Sequence, residues 1–235
     1  MNFSCFQDEI ACAGALCFSP NGRKLAVCTL DRHVLLFDDK FRRRDKFATK
    51  PVDSKLFWYF LDFQSPSPWY GKTGYLIKSV SFSPDSNKLA IGQTDDIVYF
   101  FHILPNRAKP RFANKVEDEK KVICNKFAQS SSCVALIWPS ESKLIVGLLD
   151  GKVRQASTNS NKCSTLYKAA DGASVCAIAQ HPNKRSFLSG HEDGSMFLYS
   201  FDSRSHTRVC VHTCAPYALI LSQVGILAAG SDRRL

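Results

Sequence analysis

The fold is decided by the stretch Leu16-Cys17-Phe18-Ser19-Pro20-Asn21-Gly22, which Lys24-Leu25-Ala26-Val27-Cys28, Asp31 and Val34-Leu35-Leu36-Phe37-Asp38 follow. The same order returns at Val80-Ser81-Phe82-Ser83-Pro84-Asp85-Ser86, Lys88-Leu89-Ala90-Ile91-Gly92, Asp95 and Ile97-Val98-Tyr99-Phe100-Phe101. The apolar runs are short, rich in Val, Ile, Leu and Phe, and end at turns of Ser, Pro, Asn, Asp or Gly. This pattern predicts β-strands joined by tight turns.

Three looser copies of this unit follow, at 135–156, 175–201 and 217–232. The turn aspartates of the five copies are Asp31, Asp95, Asp150, Asp193 and Asp232, separated by 64, 55, 43 and 39 residues. The last two spacings match the roughly 40–45 residues of one WD40 blade, which has four antiparallel strands arranged around a channel. The sequence therefore predicts an all-β protein, an incomplete WD40-type β-propeller with about four and a half blades of seven.

The predicted blades lie at about residues 10–50, 75–118, 119–168, 170–210 and 211–235, so the whole chain, 1–235, is one partial propeller. Two insertions account for the long first spacings. One is the aromatic, Pro-containing stretch 56–69, and the other is the basic stretch 105–117. An exposed 56–63 segment would be a partner or membrane-interface site, while an irregular insertion or a gene-model artefact explains it equally well.

The repeated aspartates are interpreted as structural, because an Asp in this turn accepts the hydrogen bonds that hold it. Aspartates in five different blades would also be too far apart to share one ion. His191 and Asp193 could form an acid–base pair, but they occupy the same turn, so turn chemistry is the favoured interpretation. The Trp-Asp dipeptide of the family is replaced by Phe37-Asp38 and Phe201-Asp202.

No nucleotide-binding glycine loop and no G-x-S-x-G elbow occur in the sequence. Cys210, His212 and Cys214 alternate on one face of a predicted strand and could supply three metal ligands. A fourth ligand is not evident nearby, so core or surface thiols are the favoured interpretation. We therefore expect no enzyme, no metal and no cofactor.

The formal net charge of +10 favours acidic partners. Two basic clusters are candidates for partner binding, although loops of most folded proteins carry such charge. Their residues are Arg42, Arg43, Arg44, Arg107, Lys109 and Arg111. The ten cysteines lack the spacing of a secreted disulfide scaffold, and Asp8 and Glu9 precede the first apolar run where a signal peptide needs basic residues. We expect reduced thiols in an intracellular protein.

Longer irregular strings carry a more specific resemblance. The segments 43–51 (R-R-D-K-F-A-T-K-P) and 120–127 (K-K-V-I-C-N-K-F), together with Gly151-Lys152-Val153-Arg154 and Pro216-Tyr217-Ala218-Leu219, resemble the N-terminal part of the intraflagellar transport 172 family. The resemblance runs from about residue 14 to the end of the chain. Residues 56–69 depart from the family as an insertion, and the chain stops inside the fifth blade, as expected for a fragment.

The resemblance implies a non-catalytic scaffold subunit of intraflagellar transport complex B, which acts in cilium assembly through protein docking. It also implies other complex B subunits as partners, no small-molecule substrate, and a location in the cilium and basal body with a cytoplasmic pool. One rival function is a basic propeller that binds an anionic membrane surface or nucleic acid, and of these two nucleic acid is disfavoured. The second rival function is an enzyme with a polar pocket in its channel.

Overall fold

The computed structural model describes residues 12–30, 32–49, 75–103, 123–160, 162–230 and 232. Both predicted insertions, 56–69 and 105–117, lie outside the described residues. So do Asp31, Arg107, Lys109 and Arg111. None of the described segments is a helix of the length and apolarity that a bilayer crossing requires.

The described residues form four sheets of four antiparallel strands and one of two strands. The first sheet contains β1 (Ala13–Phe18), β2 (Lys24–Thr29), β3 (His33–Asp38) and β4 (Arg43–Ala48). The second contains β5 (Ile77–Phe82), β6 (Lys88–Gln93), β7 (Ile97–His102) and β8 (Ile123–Ala128). The third contains β9 (Cys133–Ser140), β10 (Lys143–Leu148), β11 (Lys152–Ser157) and β12 (Lys162–Lys168).

The fourth sheet contains β13 (Val175–Gln180), β14 (Ser186–His191), β15 (Ser195–Ser200) and β16 (Ser205–Val211). A short 3-10 helix, Ala170–Gly172, leads into it from the third sheet. The last sheet pairs β17 (Pro216–Leu221) with β18 (Ile226–Gly230). Strands within each sheet follow chain order, and the first strands of consecutive sheets lie against one another. The sheets are therefore the blades of an open, incomplete β-propeller.

One blade boundary differs from the position predicted by the repeat. β8 pairs with β7, so Ile123–Ala128 is the outer strand of blade two, although the repeat spacing assigned residues 119–168 to blade three. The outer strand follows a segment outside the described residues, and its burial pattern is mostly exposed. An exposed outer strand lacks the continuous apolar run that made the inner strands recognisable in the sequence.

The core lies between blades rather than within one. One buried cluster joins blades one and two, and its members include Val34, Leu36, Val80, Phe82 and Leu89. A second joins blades two and three, and a third joins blades three and four. The strands β2, β6, β10 and β14, which lie inside their sheets, are therefore buried over most of their length.

Among the described residues, no other blade packs against the outer flank of blade one. Val80 and Phe82 of β5 are buried against blade one, with 7% and 3% of their surfaces exposed. Leu16 and Phe18 hold the corresponding positions of β1, yet 61% and 58% of their surfaces are exposed. The flank of β1 is therefore apolar surface of the kind that each later blade buries against its predecessor.

Candidate protein-docking face

The turns between the first and second strands of blades one to four lie on one side of the propeller. We call this surface, formed by residues 19–23, 83–87, 141–142 and 181–185, the first-turn face. It is the end of the blades at which the sequences Ser-Pro-Asn, Ser-Pro-Asp and His-Pro-Asn occur in blades one, two and four. The same backbone hydrogen bond closes these three turns, from the N–H of Ser19, Ser83 or His181 to the carbonyl five residues later.

Local hydrogen bonds of the side chains shape these turns. The Ser19 Oγ accepts the backbone N–H of Lys24 at 2.9 Å, and the Ser83 Oγ accepts that of Lys88 at the same distance. In blade four the His181 Nδ1 accepts the N–H of Asn183 at 3.1 Å. Because Ser, Asn and Asp side chains replace water as partners of the turn backbone, each turn has a defined shape.

Hydrogen bonds between blades join the turns into one surface. The Lys24 Nζ of blade one donates to the carbonyl of Ser86 in blade two at 2.9 Å. The backbone N–H of Asp85 donates to the Glu141 Oε1 of blade three at 2.8 Å. Since the backbone groups are held by partners from the neighbouring blade, the face is pre-organised across three blades.

A cavity of about 290 Å³ opens on this face, where the turns of blades one, two and four meet Trp138 of β9 in blade three. Its walls are mostly apolar. They are formed by Pro20, Pro84, Trp138, Gln180, His181, Pro182 and Lys184. We call this cavity the proline basin. Pro20, Pro84 and Pro182 hold the same turn position in three blades, so the sequence repeat itself generates the apolar wall. An apolar concave surface with few polar groups is typical of a binding site.

The predicted arginine cluster lies at the start of β4, the outer strand of blade one, with Arg42 just before it. The Asp38 Oδ2 is 3.0 Å from Arg42 Nη2 and 2.6 Å from Arg44 Nη2. Partial desolvation opposes ionisation of Asp38, but the Arg42 and Lys40 backbone N–H groups and the Arg42 and Arg44 guanidiniums hold its pKa well below its ordinary range. Two of the three arginines are thus engaged by a carboxylate that stays ionised, which reduces the net charge that the cluster offers.

The turn aspartates lie in separate blades. Asp150 and Asp193 each accept the backbone N–H two residues later, from Lys152 at 3.2 Å and Ser195 at 3.0 Å. Asp95 accepts the Tyr99 hydroxyl at 3.4 Å, and Asp232 accepts the Thr213 hydroxyl at 2.6 Å. Asp31 lies outside the described residues. These contacts are the kind that hold a turn in shape.

His191 contacts a serine rather than Asp193. Its Nε2 is 2.9 Å from the Ser189 Oγ, its Nδ1 is 3.0 Å from the Ala173 carbonyl, and the ring is fully buried. The Ser189 Oγ in turn lies 2.5 Å from the Tyr167 hydroxyl of blade three. The sequence reasoning missed Tyr167 and Ser189, because a serine and a tyrosine in apolar strands carry no motif.

This buried network is not arranged for acid–base chemistry with solvent. Burial lowers the pKa of His191, although the Ala173 carbonyl and the charge of Asp193 act against it. Burial also raises the pKa of Tyr167, against the hydrogen bond from Ser189. Both groups are therefore neutral near pH 7, and they tie blade three to blade four through hydrogen bonds.

The prediction that Cys210, His212 and Cys214 alternate on one strand is wrong. β16 ends at Val211, so His212 and Cys214 lie in the loop that leads to β17. The alternation of residue types continues past the strand, but the pairing of β16 with β15 ends at Val211. Asp232, at the end of β18, approaches His212 and Cys214 instead, within 4.8 Å.

Comparisons with known proteins agree with this architecture. The family "WD domain, G-beta repeat" matches residues 8–38 and 161–200. The chain is 42% identical over 233 residues to the mouse "Intraflagellar transport protein 172 homolog", and this match covers 97% of the chain. Over most of its length, the chain is homologous to part of this intraflagellar transport protein.

More distant relatives carry the same name or a related one. Identity is 38% over 229 residues to "Intraflagellar transport protein osm-1" of Caenorhabditis elegans and 34% over 229 residues to "Intraflagellar transport protein 172" of Chlamydomonas reinhardtii. These matches cover 97% and 94% of the chain. The chain spans 12% of the length of each of these three relatives. The similarity therefore concerns a WD40-repeat part of much longer proteins.

Proposed function

We propose that this chain is a non-catalytic docking platform that serves intraflagellar transport in the cilium, basal body and a cytoplasmic pool. Its relatives are named for that process, and WD40 repeats present surfaces for protein contact. The single observation that carries the proposal is the proline basin, an apolar cavity on a face held together by hydrogen bonds between blades.

The occupant that fits the proline basin is an acidic segment of another complex B subunit. The three prolines and the edge of Trp138 offer apolar contact without flexible side chains, so little conformational entropy is lost on binding. Lys184 lines the same cavity, and the chain carries a formal net charge of +10. Complementary charge speeds encounter and selects acidic partners.

The basin lacks the grouping that an enzyme would need. Among its lining residues, His181 and Lys184 are the only titratable groups, and the His181 Nδ1 already accepts a backbone N–H. A general acid–base pair requires two groups within reach of a reacting atom. The composition of the basin supports protein binding rather than turnover.

The arginine cluster of blade one is proposed as a second contact for acidic partners. Its attraction for them is weaker than three arginines alone would give. Asp38 engages Arg42 and Arg44, and this lowers the charge available to phosphate groups. Nucleic acid or anionic lipid binding would depend on free cations and would weaken steeply with salt. Binding to a complex B subunit that persists in salt would contradict that rival.

The test is direct binding of the purified full chain to purified complex B subunits, measured by biolayer interferometry at two salt concentrations. Lys184→Glu places a negative charge in the basin and should weaken binding at least about tenfold, since like charges at an interface are costly. Lys162→Glu makes the same charge change on the exposed β12 strand and is the matched control. Equal binding by Lys184→Glu and wild type would contradict the basin as the site.

A further inference from the structure

We propose that His212, Cys214 and Asp232 bind one zinc ion that fastens blade five to blade four. These residues come from two elements. His212 and Cys214 lie in the loop between β16 and β17, and Asp232 follows β18. One ligand atom from each, a ring nitrogen, the Sγ and a carboxylate oxygen, lies within 4.8 Å of the others, and all three residues are half-buried.

The spacing of the first two ligands suits a tetrahedral zinc ion. The His212 Nδ1 lies 3.5 Å from the Cys214 Sγ. With Zn–S of about 2.3 Å and Zn–N of about 2.0–2.1 Å, a tetrahedral angle separates sulfur and nitrogen by about 3.5–3.6 Å. The longest separation in the group exceeds such a value by no more than about 1.3 Å, which rotation of the Asp232 side chain can close.

The same loop and turn in blade three carry different side chains. The loops after β8 (129–132) and after β16 (212–215) have the same length, so Gln129, Ser131 and Asp150 correspond to His212, Cys214 and Asp232. Ser130 corresponds to Thr213. In blade three the Ser130 hydroxyl donates to the Asp150 Oδ2 at 3.0 Å, and the Lys152 Nζ lies 2.6 Å from the same oxygen. In blade three, hydrogen bonds and an ion pair therefore connect the loop to the turn.

Blade five keeps the hydroxyl-to-carboxylate bond through Thr213, but it has an imidazole and a thiol, both zinc ligands, where blade three has Gln129 and Ser131. The backbone contacts of the His212 ring are long, 3.2 Å to the Cys214 carbonyl and 3.4 Å to its N–H, so they are weak competitors for Nδ1. The Asp232 Oδ2 accepts the Thr213 hydroxyl at 2.6 Å. A hydrogen bond to a ligating carboxylate orients it for the metal.

The charges also balance. A thiolate, a carboxylate and a neutral imidazole around Zn²⁺ give a net charge of zero, so the half-buried corner would not hold an uncompensated charge. The thiol favours zinc over the hard cations Mg²⁺ and Ca²⁺. Three protein ligands leave the fourth tetrahedral position for a water molecule.

Gly230 leaves room for this arrangement. A Cβ at residue 230 would stand 2.3 Å from the Cys214 Sγ and 3.3 Å from the His212 Cε1. The sulfur therefore packs against bare backbone at the end of β18. Zinc bound here would connect the loop after β16 to the turn after β18, and it would restrain a blade of which two strands lie among the described residues.

The first experiment measures metal content and needs no variant. The full chain, treated with chelator and dialysed against limiting zinc, should retain about one equivalent of zinc per chain. Replacing zinc by Co²⁺ should produce a thiolate-to-cobalt charge-transfer absorption and visible bands typical of tetrahedral coordination. A cobalt spectrum without the thiolate absorption would overturn the proposal.

The second experiment assigns the ligands. Cys214→Ser and Asp232→Asn should each lower bound zinc to the background level, while Cys124→Ser removes a thiol from the distant β8 strand and should retain one equivalent. Far-UV circular dichroism checks that each variant is folded. Chelator should lower the thermal midpoint of the wild type and leave Cys214→Ser unchanged. Zinc retained equally by wild type and Cys214→Ser, or absent from both, would show a hydrogen-bonded corner without a metal site.

Discussion

Val175, the first residue of blade four, packs directly over Gly147 of blade three, and a Cβ at Gly147 would stand 2.5 Å from the Val175 Cγ1. Two other inner strands repeat this relationship. Gly92 lies under Cys133, and Gly190 lies under Pro216. In each case the first residue of the next blade rests on a glycine of the preceding one. The distance between neighbouring blades is thus set by the absence of a side chain.

Gly147→Ala should therefore destabilise the propeller. The added methyl group meets Val175 and Ile178, and overpacking of this kind costs about 1–3 kcal/mol in a well-packed core. Gly225→Ala is the matched control, because no atom lies within 4 Å of a Cβ there. Urea unfolding followed by intrinsic fluorescence measures both variants. A shift of the midpoint for Gly225→Ala as large as that for Gly147→Ala would contradict the packing argument.

Tyr167→Phe should weaken the contact between blades three and four. The variant removes the hydroxyl that lies 2.5 Å from the Ser189 Oγ, and a buried hydroxyl contact of this kind contributes about 1 kcal/mol. Tyr217→Phe makes the same change at a position that is 68% exposed and should leave stability unchanged. The measurement is the free energy of unfolding in urea, and equal effects of the two variants would contradict the role of the network.

Lowering the pH should destabilise the protein through His191. Burial lowers its folded-state pKa below the ordinary value of 6.5, so the unfolded chain binds a proton that the folded chain resists. This contribution is fully present above about pH 6.5 and is lost as the pH falls towards the lowered pKa. His191→Gln should flatten the fall in thermal midpoint between pH 7.5 and 5.5 relative to wild type. His102→Gln, at an exposed position, should keep the wild-type slope.

Two buried thiols should resist modification in the folded protein. Cys28 and Cys133 are fully buried, and burial raises their pKa values far above the ordinary one, with the nearby Cys17 adding to the effect at Cys28. Burial also raises the pKa of Cys17 to about 12. The thiolate is the reactive form, so maleimide should label the exposed Cys12 before Cys28 and Cys133. Mass spectrometry of digested protein checks the order, and early labelling of Cys133 would show that blades two and three separate readily.

Much of the fold could be predicted from the chain because each blade encodes itself locally. The runs at Leu25-Ala26-Val27-Cys28 and Leu89-Ala90-Ile91 lie in the predicted strands β2 and β6. Their continuous apolar character goes with burial of most residues of both strands. The outer strand β8 was placed in the wrong blade, since an exposed strand carries no such signal and hydrogen bonding to β7 alone defines its sheet.

The candidate site was less accessible to sequence reasoning. Arg42 and Arg44 were recognisable as a cluster, but their pairing with Asp38 depends on how β3 and β4 lie together. Pro20 and Pro182 are recognisable in the sequence as members of a repeat. Only the packing of the blades places both of them in the wall of the proline basin.

The sequence by itself determined the architecture of this protein, because strand periodicity and turn chemistry act over a few residues and recur along the chain. Tertiary structure alone decided which side chains meet. Asp232 reaches His212 and Cys214 only because β17 and β18 form a hairpin that returns the chain to the start of its own blade. Contacts of this kind depend on strand register and blade packing, so they cannot be predicted from a local pattern of residues.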